Sequence, residues 1–309
     1  MKAYAITEAG GAPAVTEIEI PEPDEGEVRV RVSAATVNGF DLAVAAGFMA
    51  GFFEHRYPLV LGRDFAGTVD AVGPGVADFA VGDRVFGVVS KPHLKEGSIA
   101  EYTTVPVESA AAAIPDGVSD TTAAALGHTG TTAIASLAPL DLDGATILIV
   151  GATGGVGVLA TQLAVAGGAR VIATGRTEEG RALLEEFGAE AVDYTIGLDA
   201  AVRPLAPDGV DAALHFAGVA TEISPLVRDG GVFISPLLYS PDMFGDDRLQ
   251  FVPIAAYPDR ATLERLAALV DAGELTVVID REFVLDDAAD AAGAFGHHTI
   301  GKLVVSTGG

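Results

Sequence analysis

Val150-Gly151-Ala152-Thr153-Gly154-Gly155-Val156-Gly157 is the stretch on which the fold turns. It follows Ala145–Val150, a continuous apolar run that reads as a buried strand, and it opens the helical pattern Val156–Ala166. A strand that enters a helix through glycines offers unpaired backbone N–H groups and no Cβ atoms to obstruct an anion. Gly154 permits the close approach of a pyrophosphate, and Gly157 lets the helix pack against the strand. The strict G-x-G-x-x-G fingerprint is not met, because Ala152 stands at its first glycine. Alone, the run also admits a tight turn without a ligand.

Its surroundings favour the ligand. Downstream lie a strand pattern at Arg170–Thr174, a helix at Glu178–Phe187, and shorter strands at Ala191–Asp193, Val210–Leu214 and Gly231–Ile234. This alternation predicts an α/β fold with a doubly wound parallel sheet of Rossmann type. The second strand ends in Ala173-Thr174-Gly175-Arg176. A site for NAD would place Asp or Glu there, to accept from the ribose 2′-hydroxyl. Arg176 instead offers a cation for a 2′-phosphate, and Arg181 could join it. The implied cofactor is NADPH; the alternative is a solvated surface arginine.

Upstream, residues 1 to about 115 are β-rich, with runs at Val15–Ile20, Glu27–Ala34, Ala66–Val72, Arg84–Val88 and Ile99–Val105 separated by turn signals. They suit a small, partly closed β-barrel. After the Rossmann pattern come an amphipathic helix, Ala261–Ala272, and a terminal strand, Lys302–Val305. The expected organisation is a barrel domain over 1–120, a cofactor domain over 121–256, and a segment over 257–309 that returns to the first.

Composition narrows the functions. With 43 acidic against 18 basic residues the formal charge is -25, which repels nucleic-acid phosphates and anionic membranes. The excess serves solubility or, in a sharper reading, life at high salt. No run approaches the ~18 apolar residues of a membrane span, and the N-terminus lacks a secretory signal, so a cytoplasmic location is expected. The chain has no cysteine, which excludes disulfides, thiolate nucleophiles, iron–sulfur clusters and Cys-based zinc sites.

Several further motifs stand in a specific order: Asn38-Gly39-Phe40-Asp41, Pro58-Leu59-Val60-Leu61-Gly62-Arg63-Asp64-Phe65-Ala66-Gly67, Val81-Gly82-Asp83-Arg84-Val85, Gly97-Ser98-Ile99-Ala100-Glu101-Tyr102, Gly127-His128-Thr129-Gly130-Thr131-Thr132-Ala133 and Gly301-Lys302-Leu303-Val304-Val305. With the glycine turn, they make the chain resemble, over nearly its whole length, the zinc-independent NADPH:quinone oxidoreductase-like branch of the medium-chain dehydrogenases/reductases. The resemblance implies a GroES-like substrate domain, a Rossmann domain, a cleft between them and a homodimer. It places Thr129 near the nicotinamide and Gly154, Gly155 and Val156 on the pyrophosphate. Thr174, Gly175 and Arg176 would meet the 2′-phosphate, with Tyr194 near the adenosine. Phe216, Ala217, Gly218, Ser235, Pro236 and Leu237 would line the groove, and Lys302 would return to the cofactor.

The family's zinc-dependent branch puts Cys and His on its metal where this chain has Asp41 and Arg63, so no metal is expected. His297 and His298 are adjacent, a poor arrangement for one ion. Without a Lewis acid, the suitable acceptor is one whose conjugation spreads the charge left by hydride attack: a quinone or an α,β-unsaturated carbonyl. Where relatives carry a tyrosine acid, this chain has Ala43 or Phe48-Met49. Asn38, Asp41 and Arg63 are therefore the catalytic candidates. Their structural alternatives are a turn former, Asn38, and a buried ion pair, Asp41 with Arg63. The apolar segment Ala46–Phe53 is expected to wall the substrate or to form a subunit contact. A biosynthetic enoyl or enone reductase and a non-catalytic NADPH sensor are the competing functions. A short-chain dehydrogenase is excluded, since no tyrosine has a lysine four residues on.

Overall fold

The computed structural model describes residues 1–308; Gly309, the last residue of the expected third segment, lies outside them. The chain forms two units, Met1–His128 with Tyr257–Gly309, and Thr129–Ala256.

The second unit is built on a six-stranded sheet in the order Glu190–Asp193, Arg170–Gly175, Thr146–Val150, Val210–His215, Val227–Ser235, Gln250–Pro253. Every neighbouring pair is parallel. From Thr146–Val150 the chain steps outward to one edge, then returns to lay Val210–His215 on the other side. That is the doubly wound Rossmann order, whose direction reverses between those two strands. Ile147, Leu148 and Ile149 are fully buried. Helices cover both faces of such a sheet, which is why this strand is apolar without alternation. Gly157 is obligatory: a Cβ there would fall on the Gly151 carbonyl oxygen and crowd the Ala152 backbone. Gly151 itself has φ +87°, a left-handed conformation that favours glycine.

The first unit is β-rich, as expected. Its main sheet runs Ala111–Ala113, Arg84–Val88, Asp64–Val72, Glu27–Thr36, Lys302–Ser306, Ile279–Val284, and Tyr102–Pro106 also pairs with Glu27–Thr36. In Glu27–Thr36 the buried Val28, Val30 and Val32 alternate with Arg29, paired with Asp70, and the exposed Arg31. Phe65, Phe86, Leu59, Ile99 and Leu126 are the largest fully buried side chains of this unit. The terminal strand Lys302–Ser306 pairs antiparallel with Ala34–Thr36 and parallel with Ile279–Val284, joining the two within one sheet.

The boundary expected after residue 120 differs from the one the contacts make, after His128. The reason is the short helix Asp120–Ala124, which packs on Glu27–Thr36, Asp64–Val72 and Arg84–Val88 and is tied to that sheet by the Arg84–Asp120 ion pair.

Candidate active site

In the second unit, the helix Gly155–Ala166 begins at Gly154, which provides no side-chain cap. Its first N–H groups are thus left to any anion that approaches, beside the point where the sheet reverses. The turn before it is held by Thr174, whose buried hydroxyl accepts from the Gly151 amide (3.1 Å) and donates to the Ile149 carbonyl (3.3 Å). The next strand ends in a buried Gly175 and an exposed Arg176, whose guanidinium has no partner among the described residues. Arg181 is committed elsewhere: it lies 3.4 Å from Asp193 and donates to the Gly175 and Arg176 carbonyls. Tyr194, partly exposed, follows the neighbouring strand Glu190–Asp193, whose Asp193 pairs with Gly175. An open helix N-terminus and an unengaged cation one strand away are placed as the central pyrophosphate and the adenosine ribose of a nicotinamide dinucleotide would need.

Phe216, Ala217 and Gly218 form the loop after Val210–His215, and Pro236 and Leu237 follow the strand that ends in Ser235. Ala217, Gly218 and Leu237 are exposed, whereas Ser235 is fully buried. Thr129 is buried in the helix Gly127–Leu137.

The first unit holds a cluster of buried charges around Asp64, which is inaccessible to solvent. Its carboxylate accepts from the Thr36 hydroxyl (2.6 Å), the Asn38 amide group (2.9 Å) and the His128 backbone N–H (2.5 Å). The Lys302 ammonium lies 3.4 Å away and donates to the Val37 carbonyl (3.1 Å) and Asn38 Oδ1 (2.7 Å). Burial alone would raise the Asp64 carboxyl, but Lys302, His128 and the hydrogen bonds hold it below the ordinary range. Burial pulls Lys302 down against the opposing pull of Asp64 and Asp41. It also pulls His128 down to about 4, with help from the nearby Arg63.

Asp41 accepts from the Asn38 backbone N–H (2.8 Å) through Oδ2 and from the Gly62 N–H (3.2 Å) through Oδ1. The first bond is a carboxylate at the third helical position reaching back to the cap residue of Gly39–Ala45. Burial nevertheless pushes Asp41 up to about 6. Among the described residues Arg63 makes no close ion pair with Asp41, the alternative the sequence left open for the two. It stacks on Phe40, its guanidinium carbon 4.6 Å from the ring centre, and its buried Nε has no hydrogen-bond partner. A cavity of about 20 Å³, the room of one water, touches Arg63, Phe40, Asp41 and Glu96.

The segment Ala46–Phe53 is not uniform. Phe48 and Phe52 are 73% and 67% exposed, but Met49 is buried and Phe53 packs edge-on against Phe40 at 5.8 Å. Asp64, Thr36 and His215 escaped the sequence reading. Asp64 alone carried a signal, a carboxylate heading the otherwise apolar strand Asp64-Phe65-Ala66.

Residues 24–116 match the family of alcohol dehydrogenase GroES-like domains, and residues 187–305 match the family described as zinc-binding dehydrogenase. The chain is 33% identical to a chloroplast envelope quinone oxidoreductase homolog of Arabidopsis thaliana, over 96% of this chain and 95% of that protein. It is 34% identical to a segment of a phthioceranic/hydroxyphthioceranic acid synthase of Mycobacterium tuberculosis, over 92% of this chain but only 14% of the synthase. A mycobacterial structure complexed with NADPH superposes with a TM-score of 0.84 at 27% identity, covering 99% of this chain and 100% of that one. The chain belongs to the medium-chain dehydrogenase/reductase superfamily, in its quinone oxidoreductase-like branch. Its fold is that family's: a Rossmann sheet and a GroES-like domain.

Proposed function

We propose that this chain is an NADPH-dependent oxidoreductase that reduces a quinone or another α,β-unsaturated carbonyl without a metal. The observation that carries the reading is the pairing of an uncapped helix N-terminus, at the reversal of the parallel sheet, with the unengaged Arg176 at the end of the adjoining strand. The quinone oxidoreductase homolog and the NADPH-bound neighbour support it.

When bound, the nicotinamide supplies the hydride. Gly154 to Val156 bind the pyrophosphate through backbone N–H groups, and Arg176 selects the 2′-phosphate. Thr174 acts through the turn it holds. Arg63 is the residue fitted to stabilise negative charge on the acceptor oxygen, since among the described residues its guanidinium forms no ion pair and its Nε lacks a hydrogen bond. Asn38 and Asp41 act as positioning residues: both ends of the Asn38 side chain and both Asp41 oxygens are engaged within the cluster.

Zinc does not fit this donor set. Both Asp41 oxygens already accept from backbone amides, and the fixed cation of Arg63 would repel a metal ion. Among the described residues no group of three or more His, Asp or Glu is placed to hold a metal. Conjugation in the acceptor takes over the task of a Lewis acid, by spreading the charge onto a remote oxygen.

A second reading, an enoyl or enone reductase in a biosynthetic pathway, draws on the likeness to the synthase segment. The discriminating experiment is NADPH oxidation by the chelator-treated protein, with a naphthoquinone and a cyclic enone as parallel acceptors and NADH beside NADPH. Turnover with NADPH is expected, and the faster acceptor chooses between the two readings. No turnover with either acceptor, or turnover that needs added zinc, overturns the proposal.

A further inference from the structure

His215 ends the strand Val210–His215, beside the reversal point of the sheet, and is 3% exposed. Its ring tilts against Phe233, with centres 5.5 Å apart. Nδ1 lies 3.0 Å from the Ser235 hydroxyl, and Nε2 lies 3.2 Å from the Gly218 carbonyl oxygen. The histidine thus touches both loops that leave the two adjacent strand ends.

The tautomer follows from counting donors. The Ser235 oxygen already accepts from two backbone amides, Leu237 N–H at 3.0 Å and Leu238 N–H at 3.1 Å. A hydroxyl oxygen has two lone pairs, so its own proton is what remains for His215. Nδ1 must then be the acceptor. The ring proton sits on Nε2, where it meets a carbonyl oxygen that can only accept. Every polar atom in this arrangement is matched once.

We infer that His215 is a positioning residue, a neutral imidazole protonated on Nε2 that pins the loop Phe216–Gly218 to the turn Ser235–Leu238. This assignment rests on the cofactor reading above, in which those loops line the cofactor groove. A second ring proton would put a third donor on the Ser235 oxygen and leave the hydroxyl proton without an acceptor. Protonation therefore costs at least one bond of the turn. In keeping with this, burial holds His215 below the ordinary histidine range, opposed only by the Gly218 bond. The ring faces Phe233, Ser235 and Gly218, and no charged group contributes to its shift.

Two substitutions divide the bridge. Asn at 215 places its amide near Nδ1 and can reach Ser235 but not Gly218; Gln extends towards Gly218 and gives up Ser235. Histidine-labelled full-length protein, examined by long-range 1H–15N correlation at pH 7.5, reports the tautomer directly, with His215→Gln assigning the signal. The expected result is a neutral ring with its proton on Nε2. His215→Asn and His215→Gln should each weaken NADPH binding roughly tenfold, measured by NADPH fluorescence. The wild type should suffer a similar loss only as pH falls below the usual histidine value of about 6.5, while both variants lack that step. A ring protonated on Nδ1, or a cationic ring at pH 7.5, together with normal NADPH binding overturns the role of His215 alone. Failure of the wild type to bind either nicotinamide cofactor overturns the cofactor reading, whatever the tautomer. The tautomer is read on the wild type, and whichever of His215→Gln and His215→Asn folds suffices to assign its signal.

Discussion

The Lys302 ammonium donates to Asn38 Oδ1 at 2.7 Å, joining the terminal strand to the cap of the helix Gly39–Ala45 across 264 residues of sequence. The same ammonium faces Asp64 at 3.4 Å, so one cation serves a cap and a buried carboxylate together. Its role in the first unit is therefore electrostatic as well as architectural.

Lys302→Met leaves Asp64 buried without its cation, which should cost about 3–5 kcal/mol at neutral pH. The deficit should shrink in acid, as the uncompensated carboxyl takes up a proton. Lys302→Met with Asp64→Asn should lose less than the sum of the single changes. Thermal unfolding of the four proteins, from pH 5 to pH 8, measures both effects.

Asp41 should titrate with the opposite sense to a surface carboxylate. Its folded value is about 6 against an ordinary 3.8, so between those values the folded chain keeps a proton that the unfolded chain releases. Its contribution is present below about pH 4 and fades as pH rises through 6. The difference in stability between wild type and Asp41→Asn should fall by about 3 kcal/mol across that window. Urea unfolding at half-unit pH steps would detect it.

Arg176→Ala should weaken NADPH binding by ten- to a hundredfold, from the loss of about 1.5–3 kcal/mol of charge-assisted bonding. NADH binding should hardly change. Arg181→Ala should have the smaller effect on NADPH, because its guanidinium is held by Asp193 and two carbonyls. Titrations of both variants with both cofactors separate these roles.

Arg63→Met should lower kcat for a quinone about a hundredfold while leaving the Kd for NADPH in place. Arg63→Lys should recover part of the loss, since it keeps the charge but not the planar fork. Steady-state rates beside direct cofactor titrations would show the split.

Phe52 and Phe53 should behave differently although they are neighbours. Phe53→Ala removes an edge-on contact with Phe40 and should destabilise the first unit by about 1–3 kcal/mol. Phe52→Ala, at a ring 67% exposed, should raise KM for a hydrophobic acceptor. Unchanged kinetics for Phe52→Ala would remove that segment from the substrate wall.

The sheet of the second unit was the most legible part of the sequence, because each strand is a local apolar run bounded by glycine or a helix signal. Gln250–Pro253 was missed: four residues at the sheet edge, half of them exposed, carry no such run. In the first unit, Lys2–Ile6 and Ile279–Val284 were overlooked although each pairs with a strand near in sequence; Ile279–Val284 carries three charges and buries none of its residues, so it shows no apolar run. Asn38, Asp41, Arg63 and Lys302 could be named from their motifs. That Lys302 turns to Asn38 and Asp64 could not, since nothing local records which strand its own lies against. His215 gave no signal either: a lone histidine ending an apolar strand declares its purpose only beside Ser235 and Gly218.

The discontinuity of the first unit also sets an order of assembly. Ribosomes release Asp64 238 residues ahead of Lys302, a lag on the order of tens of seconds at ordinary elongation rates. Throughout that time the nascent sheet lacks the strand that pairs beside Glu27–Thr36 and carries a carboxylate with no lysine to face it. The contiguous residues Thr129–Ala256 emerge whole within the same interval and can fold first. The cofactor-fold half of this chain is thus poised to mature while its partner is still waiting for its last strand, the period in which a chaperone would have most to hold.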